Sequence, residues 1–337
     1  MTVRIGVIGT GMIGQDHIRR LTHVLAGGQV VAVTDTDGAR AREVAGKLKA
    51  AKAYATGQEV IDDPDVDAVL VTSWGPSHEE YVTAAIQAGK FVFCEKPLAT
   101  TEQACLNILE AEVAHGRRLV QVGFMRRYDH AYRALKRTID AGEIGAPLMM
   151  TSGHRNPSVP GHYTSDMAIV DTAVHDIDIA RWLLDDEISE TLVIKPRQNS
   201  RGGELHDPLM IILRMRGGAL VNIETSVNIA YGYDIRGEIV GETGVATIAE
   251  SNAVVVKTKG SFSGRVPEDW RERFIRAYDV ELQEWLDACA QGTVQGPSTW
   301  DGYAATVATD AGLVALKSGG WAPVTLREKP GLYAEFR

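Results

Sequence analysis

The feature that most limits the fold is Gly9-Thr10-Gly11-Met12-Ile13-Gly14, which directly follows the apolar run at residues 4–8 and opens an amphipathic segment at residues 13–26. A G-x-G-x-x-G run alone is weak evidence, because glycine-rich turns are common. Between a strand and a helix it has a definite meaning. The first glycine makes the tight turn, the second lets a pyrophosphate approach the backbone, and the third lets the helix pack close to the strand. The helix N-terminus then offers N–H groups and a favourable dipole to the phosphates. Gly9, Thr10, Gly11, Met12, Ile13 and Gly14 are therefore candidate cofactor-binding residues. Asp35 ends the second β-rich run, 21 residues after Gly14. A carboxylate there accepts hydrogen bonds from ribose hydroxyls and repels a 2′-phosphate, which points to NAD rather than NADP. Arg40 and Arg42 are close enough in sequence to accept a phosphate, and Asp35 with Asp37 and Gly38 also reads as a simple turn.

The first ~120 residues continue this alternation. β-rich runs at residues 4–8, 30–34, 68–72, 91–94 and 119–122 are separated by helical patterns at 13–26, 39–48, 78–88 and 101–115, with Gly89 and Gly116 as helix stops. Alternation of this kind predicts a parallel sheet with helices on both faces. Nearly continuous apolar runs such as Ala68-Val69-Leu70-Val71 suit strands buried on both sides. After Gly123 the character changes. A helical stretch at residues 130–141, a strand at 147–154 and a helix around Asp171 and His175 lead into β runs at 192–195, 208–215, 219–228, 234–240, 246–249 and 253–257; helices at 273–290 and 300–317 close the chain. The expected architecture is an α/β N-terminal Rossmann domain (a doubly wound parallel sheet) over residues 1–123, then a C-terminal α+β domain over 124–337 with a large, mainly antiparallel open sheet. A length of 337 residues suits two domains.

Composition excludes several classes of partner. With 35 basic and 44 acidic side chains the net charge is −9, and no basic cluster stands out, so no nucleic acid and no anionic membrane surface is expected. No uninterrupted apolar run approaches the ~18 residues of a membrane span, and the N-terminus runs straight into a strand pattern without a signal region. Cys94, Cys105 and Cys289 are scattered, without metal-ligand spacing, which suits a reducing cytoplasm. Cys94 reads as a packing residue.

Three further stretches carry chemistry. Ser73, Trp74 and His78 follow a parallel strand, at the end where such sheets bind ligands; they are candidates for flanking the nicotinamide half of the cofactor, although His78 also suits a helix start. Glu95-Lys96-Pro97 follows the next strand. Glu95 joins the cofactor-facing set, and the Lys96 ammonium can hydrogen-bond a substrate hydroxyl and stabilise a developing alkoxide. The duller alternative is a Glu–Lys surface pair before a proline turn. In Asp171-Thr172-Ala173-Val174-His175-Asp176-Ile177-Asp178, helical geometry puts Asp171, His175 and Asp178 on one face, with Val174 and Ile177 on another. A carboxylate one turn from an imidazole is a proton-transfer pair, or else a solvated polar stripe.

These residues resemble the glucose–fructose oxidoreductase/inositol dehydrogenase (Gfo/Idh/MocA) family. The glycine loop, Glu95-Lys96-Pro97 and the D-x-x-x-H of Asp171 and His175 match its motifs, and the resemblance covers essentially the whole chain. Residues 71–76, 123–129, 154–157, 164–169 and 231–234 are most similar to its bacterial inositol dehydrogenase branch. The resemblance implies NAD-dependent oxidation of a ring hydroxyl of a cyclic polyol, myo-inositol first. Lys96, Asp171 and His175 would be the catalytic set, while Lys96, Met125, Arg126, His154, Asn156, Asp178 and Tyr233 would line the polyol pocket. In that scheme His175 takes the hydroxyl proton, Asp171 orients it, and Asp178 holds a remote hydroxyl. The alternatives are action on scyllo-inositol, an inosose or an aldose and, from another class, a non-catalytic dinucleotide-dependent sensor, which would have no need of all three catalytic groups. The family also implies a homotetramer built on the open C-terminal sheets, with Trp270 near the active site of its own or a neighbouring subunit. Two positions depart from the family pattern: Met12 stands where a small residue is expected and Ile229 where a Cys is expected. His154, His162, Asp171 and His175 have no recognised metal spacing, so no metal is expected.

Overall fold

The computed structural model describes residues 2–49, 51–249 and 254–334. They divide into two compact units. One comprises residues up to 124 with 278–306 and those from 326 on; the other comprises 125–277 and 307–325.

The first unit holds strands β1 (Val3–Ile8), β2 (Gly28–Thr34), β3 (Lys52–Tyr54), β4 (Ala68–Val71), β5 (Phe91–Glu95) and β6 (Val120–Gly123). Helices α1 (Met12–His23), α2 (Gly38–Gly46), α3 (Gly57–Asp62), α4 (His78–Gln87) and α5 (Glu102–His115) connect them. The sheet order is β3-β2-β1-β4-β5-β6, parallel throughout. This is the doubly wound order, in which the switch point falls between β1 and β4. Ala68, Val69, Leu70 and Val71 are all fully buried, as a strand covered on both faces requires. Turn chemistry sets the helix ends: Asp37 caps α2 through the N–H groups of Ala39 and Arg40, Thr101 caps α5, and α5 stops at Gly116 in the left-handed region. The sequence reading lacked β3 and α3. β3 has three residues, none of them fully buried, and so carries no apolar alternation.

The second unit is built on helix α6 (His130–Asp140), strand β7 (Pro147–Arg155), a helical turn α7 (Ser165–Met167) and helix α8 (Val174–Leu184). Then come β8 (Ile188–Ile194), β9 (Leu209–Met215), β10 (Leu220–Ser226), β11 (Asp234–Gly241) and β12 (Val245–Thr247), and a separate hairpin of β13 (Val255–Thr258) and β14 (Ser261–Gly264). Helices α9 (Trp270–Ala290) and α10 (Thr299–Ser318) and a short β15 (Ala322–Pro323) follow. The seven-stranded sheet runs β12-β11-β7-β10-β9-β8-β15 and is antiparallel except where β7 meets β10. The large, mainly antiparallel sheet expected from the sequence is present. Of the run expected at 253–257, Ala253 lies outside the described residues. Alternation gives the sheet an inner face that includes Ser152, His154, Ile211, Leu213, Val221 and Ile223, all buried, while Met149 and Ile194 are exposed on the other.

The linear division assigned everything after Gly123 to the second domain. Residues 278–306 instead belong to the first unit, because the second half of α9 is apolar on the side that meets the sheet. Leu282, Trp285, Leu286 and Cys289 join Val3, Ile5, Val7, Leu21, Val33 and Leu70 in one core cluster. Fully burying a side chain of this kind contributes about 1.5–3 kcal/mol. An amphipathic helix of this kind does not reveal from its own sequence which sheet it covers.

Candidate active site

The glycine loop has the geometry of a phosphate cradle. Gly9 sits at φ +99°, and a β-carbon there would lie 2.5 Å from the backbone nitrogen of Ser73. At Gly14 it would lie 2.1 Å from the Gly9 carbonyl oxygen, so this glycine lets α1 press against the turn. At Gly11 it would meet no atom within 4 Å. Gly11 is also the N-cap residue of α1, and no side chain caps that end. The space above Gly11 and the uncapped N–H groups fit a pyrophosphate. Replacing Gly14 with alanine is expected to disrupt this loop and weaken NADH binding at least tenfold in a fluorescence titration; unchanged affinity would contradict the cradle.

Asp35 ends beside this loop. Its carboxylate accepts from Thr10 N (2.6 Å), Thr10 Oγ1 (2.9 Å), Asp37 N (2.9 Å) and the Arg40 guanidinium (2.6 and 3.2 Å). Burial opposes its ionisation, but the bonds from Arg40, Asp37 and Thr10 outweigh burial and hold the carboxyl well below the usual range. Arg40, a candidate phosphate ligand in the sequence, is thus engaged by Asp35. Met12 and Trp74 are exposed, and the Ser73 hydroxyl bonds Ser77 (2.7 Å).

Two members of the expected cofactor-facing set are engaged by other parts of the chain. His78 is buried, with Nδ1 2.8 Å from the Pro97 carbonyl and Nε2 2.9 Å from the Ser73 carbonyl. Burial lowers its pKa. Both ring nitrogens face backbone carbonyls, which places His78 between the loops after β4 and β5. Glu95 is also buried, its Oε1 2.7 Å from Nε2 of His17, which the sequence reading did not single out. Lys96 follows it at the carboxyl end of β5, half-buried. Cys94 is fully buried and burial pushes its thiol well up, in keeping with a packing role.

In the second unit, elements far apart in sequence bring a polar cluster together. Arg126 comes from a 3-10 turn (Met125–Tyr128), Ser152 and His154 from the inner face of β7, Asp176 from α8, and Tyr233 from the entry to β11. Asp176 is fully buried and is the centre of the cluster. It accepts from Arg126 (2.6 Å), from the Ser152 hydroxyl (2.6 Å) and from His154 Nδ1 (2.8 Å). Burial alone would raise its pKa; the Arg126 charge and the bonds from His154 and Ser152 overcome that and hold it far below the usual carboxylate range. Nδ1 of His154 also lies 2.9 Å from the Arg126 guanidinium, and its Nε2 lies 3.3 Å from the Tyr233 hydroxyl. The His154 and His175 rings lie 6.4 Å apart, centre to centre. Met125 is buried within its turn, and Asn156, just after β7, is fixed through its backbone to Ser226 and Ile229.

The segment holding Asp171 and His175 is not one regular helix. Residues Ala168–Ala173 form a π-helical stretch and α8 begins at Val174. Such stretches recur at functional sites because they re-aim side chains. Asp171 is half-buried in the π stretch, where the Tyr163 hydroxyl lies 3.4 Å from its Oδ2 and 2.5 Å from the Thr172 hydroxyl. Burial, and then Asp171, raise the Tyr163 pKa. His175 is buried one turn on. Of the three residues expected on one face, His175 and Asp178 keep three-residue helical spacing within α8, while Asp171 lies in the π stretch before it. Asp178 is buried and accepts from both guanidinium arms of Arg127 (2.5 and 3.0 Å). Trp270 begins α9, with the Arg271 guanidinium 5.2 Å from its ring. Asp176, Ser152, Tyr163, Arg127 and His17 are the residues that sequence reasoning missed. Asp176 directly follows His175, yet nothing local to it signals partners that come from other elements.

A doubly wound domain with this cradle, joined in one chain to a domain carrying a histidine–carboxylate cluster, defines a dinucleotide-dependent dehydrogenase. The chain belongs to the Gfo/Idh/MocA oxidoreductase family: residues 3–124 match its NAD-binding Rossmann-fold domain and residues 136–326 its C-terminal α/β domain. It is 55% identical to inositol 2-dehydrogenase 3 of Saccharopolyspora erythraea, over 99% of this chain and 98% of that one. It is 53% identical to inositol 2-dehydrogenase of Pseudomonas syringae pv. syringae, over 99% and 100%. The crystal structure of myo-inositol dehydrogenase from Lactobacillus casei in complex with NAD(H) and myo-inositol superposes with a TM-score of 0.97, at 40% identity over 99% of this chain and 100% of that one.

Proposed function

We propose that this protein oxidises a ring hydroxyl of a cyclic polyol to a ketone with NAD, with myo-inositol, giving 2-keto-myo-inositol, as the leading substrate. The observation that carries this reading is the near full-length likeness to inositol 2-dehydrogenases at more than half identity. The chemistry of the second unit supports it: Arg126, His154 and Tyr233 present donors and acceptors at fixed positions, as recognition of a ring of hydroxyls requires.

Bound NAD supplies the hydride acceptor, nicotinamide C4. The residues do the rest. The Gly9–Gly14 loop and Asp35 hold the dinucleotide. His175 takes the hydroxyl proton; an imidazole with an ordinary pKa of about 6.5 suits that task near neutral pH. Asp171 steadies the imidazolium as it forms. Lys96 donates a hydrogen bond to the same oxygen and stabilises its developing negative charge. Asp176 holds Arg126, Ser152 and His154 in place. Asp178, through Arg127, positions the turn that carries Arg126 and Met125.

The exposed sheet face with Met149 and Ile194 supports assembly as a homotetramer. Among the described residues no helix is long and apolar enough to cross a membrane; the scattered free cysteines suit the cytoplasm. The direct test is reduction of NAD and of NADP across a panel of inositols, inososes and aldoses. Myo-inositol with NAD is expected to give the highest kcat/KM, with NADP at least tenfold poorer because of Asp35. No turnover on any inositol would sink the reading and favour an aldose or a sensor.

A further inference from the structure

We propose that His17 is a positioning residue for Lys96, acting through Glu95; this rests on the dehydrogenase reading above. Glu95 divides its carboxylate between two tasks. Oε1 takes the Nε2–H of His17 at 2.7 Å, and Oε2 accepts the backbone N–H of Lys96 at 3.2 Å. His17 belongs to α1, the helix whose N-terminus forms the phosphate cradle. Lys96 is the first residue beyond β5. One buried carboxylate thus couples the helix that holds the pyrophosphate to the peptide from which the Lys96 side chain departs.

Three further observations show that the connection is built in. The His17 ring has no exposed surface and is held edge-on by Phe93 (centroids 5.9 Å) and against Tyr278 (5.7 Å). Its Nδ1 is buried without a hydrogen-bond partner among the described residues. The ring therefore has one polar contact, the bond from Nε2 to Glu95. On the other side of Glu95, a β-carbon at Gly123 would come within 3.2 Å of the carboxylate, so the end of β6 leaves room for this side chain. A pair that served only to satisfy two buried groups would have no reason to reach the Lys96 peptide. In the hydride step the lysine ammonium must meet the alcohol oxygen while the nicotinamide meets the neighbouring carbon. A brace between the two supports keeps them in register, and small displacements of reacting groups cost large factors in rate.

The test uses the full-length enzyme with NAD and whichever polyol proves its best substrate, so it stands apart from the identity of that polyol. His17→Phe keeps a flat ring but loses the donor. It is expected to lower kcat by roughly 10- to 100-fold with NADH affinity within about twofold of wild type. The primary deuterium isotope effect from substrate deuterated at the reacting carbon should rise, because hydride transfer becomes more limiting. His17→Gln returns an N–H near the Nε2 position and should recover most of the loss. Should His17→Phe fail to fold, Glu95→Gln carries the same expectation for kcat and isotope effect. Wild-type kcat in either folded variant, or a loss of rate with an unchanged isotope effect and no rescue by glutamine, would reduce the pair to core packing and overturn the proposal.

Discussion

His175→Ala is expected to reduce turnover of the preferred inositol by about 10²–10⁴-fold, the usual range for removing a general base, while NADH binding stays within about twofold. The reason is a division of labour between the two units. The residues assigned to the dinucleotide lie in the glycine loop and at Asp35, whereas His175 lies on α8 of the other unit. Its loss removes a proton acceptor and leaves the cradle intact. The measurement pairs steady-state kinetics with a fluorescence titration of NADH on the same preparation. Turnover within threefold of wild type would exclude His175 as the base and shift that role to Lys96, which would then have to work as a neutral amine. Loss of NADH binding in parallel would mean that the substitution had damaged the fold.

Asp176→Ala is expected to be the most destabilising single change at the site. It leaves the Arg126 guanidinium fully buried without its closest carboxylate, and Ser152 without an acceptor for its 2.6 Å bond. Removing one partner of a buried ion pair costs about 3–5 kcal/mol, which in a domain of this size lowers the melting temperature by roughly 6 °C or more. The effect has a definite pH dependence. Burial works against the charged form, but Arg126, His154 and Ser152 hold the folded-state pKa of Asp176 below its unfolded value. Its contribution is therefore fully present above the unfolded pKa of about 3.9 and is lost as pH falls through the depressed folded value. The gap between wild type and variant should stay constant from neutral pH down to about pH 5 and narrow below about pH 4. Thermal melting across that range decides it; equal melting temperatures at pH 7 would show that Asp176 is not the centre of the cluster. Asp176→Asn, which keeps the volume, should melt closer to wild type yet raise KM, because a neutral amide holds Arg126 and His154 less firmly than a carboxylate.

Some of this site is legible in the sequence and some is not, and the difference is one of distance along the chain. The cradle is legible because Gly9, Gly11 and Gly14 lie within a single strand–turn–helix, where the tight turn, the open space at Gly11 and the close approach of Gly14 to Gly9 are set by neighbours a few residues apart. Lys96 is legible because the end of a parallel strand faces the ligand side of the sheet, and Asp35 because the spacing from loop to second strand is nearly constant in this fold. His78 misleads, since a histidine at the start of a helix looks the same whether it faces a cofactor or two backbone carbonyls. Asp171 is harder to place, because the π stretch that carries it changes the helix phase before His175 and Asp178; Asp178 keeps its helical spacing to His175, and what spacing does not reveal is Arg127, 51 residues earlier, paired with its carboxylate. Asp176 is passed over because its partners, Arg126, Ser152 and His154, stand 50, 24 and 22 residues away.

What the sequence by itself determined is the doubly wound domain, its nucleotide loop, the mainly antiparallel second sheet, and the residue types able to move a hydride and a proton. Local propensity, apolar periodicity and turn chemistry act over a few residues, and those are the interactions that spacing encodes. Only the tertiary structure decided that the second half of α9 completes the first unit's core, that Glu95 faces His17, and that Asp176 rather than Asp178 orders the polar cluster. Each of these depends on desolvation. A buried charge must find a partner wherever the fold brings one, and the identity of that partner is settled by packing between elements remote in sequence.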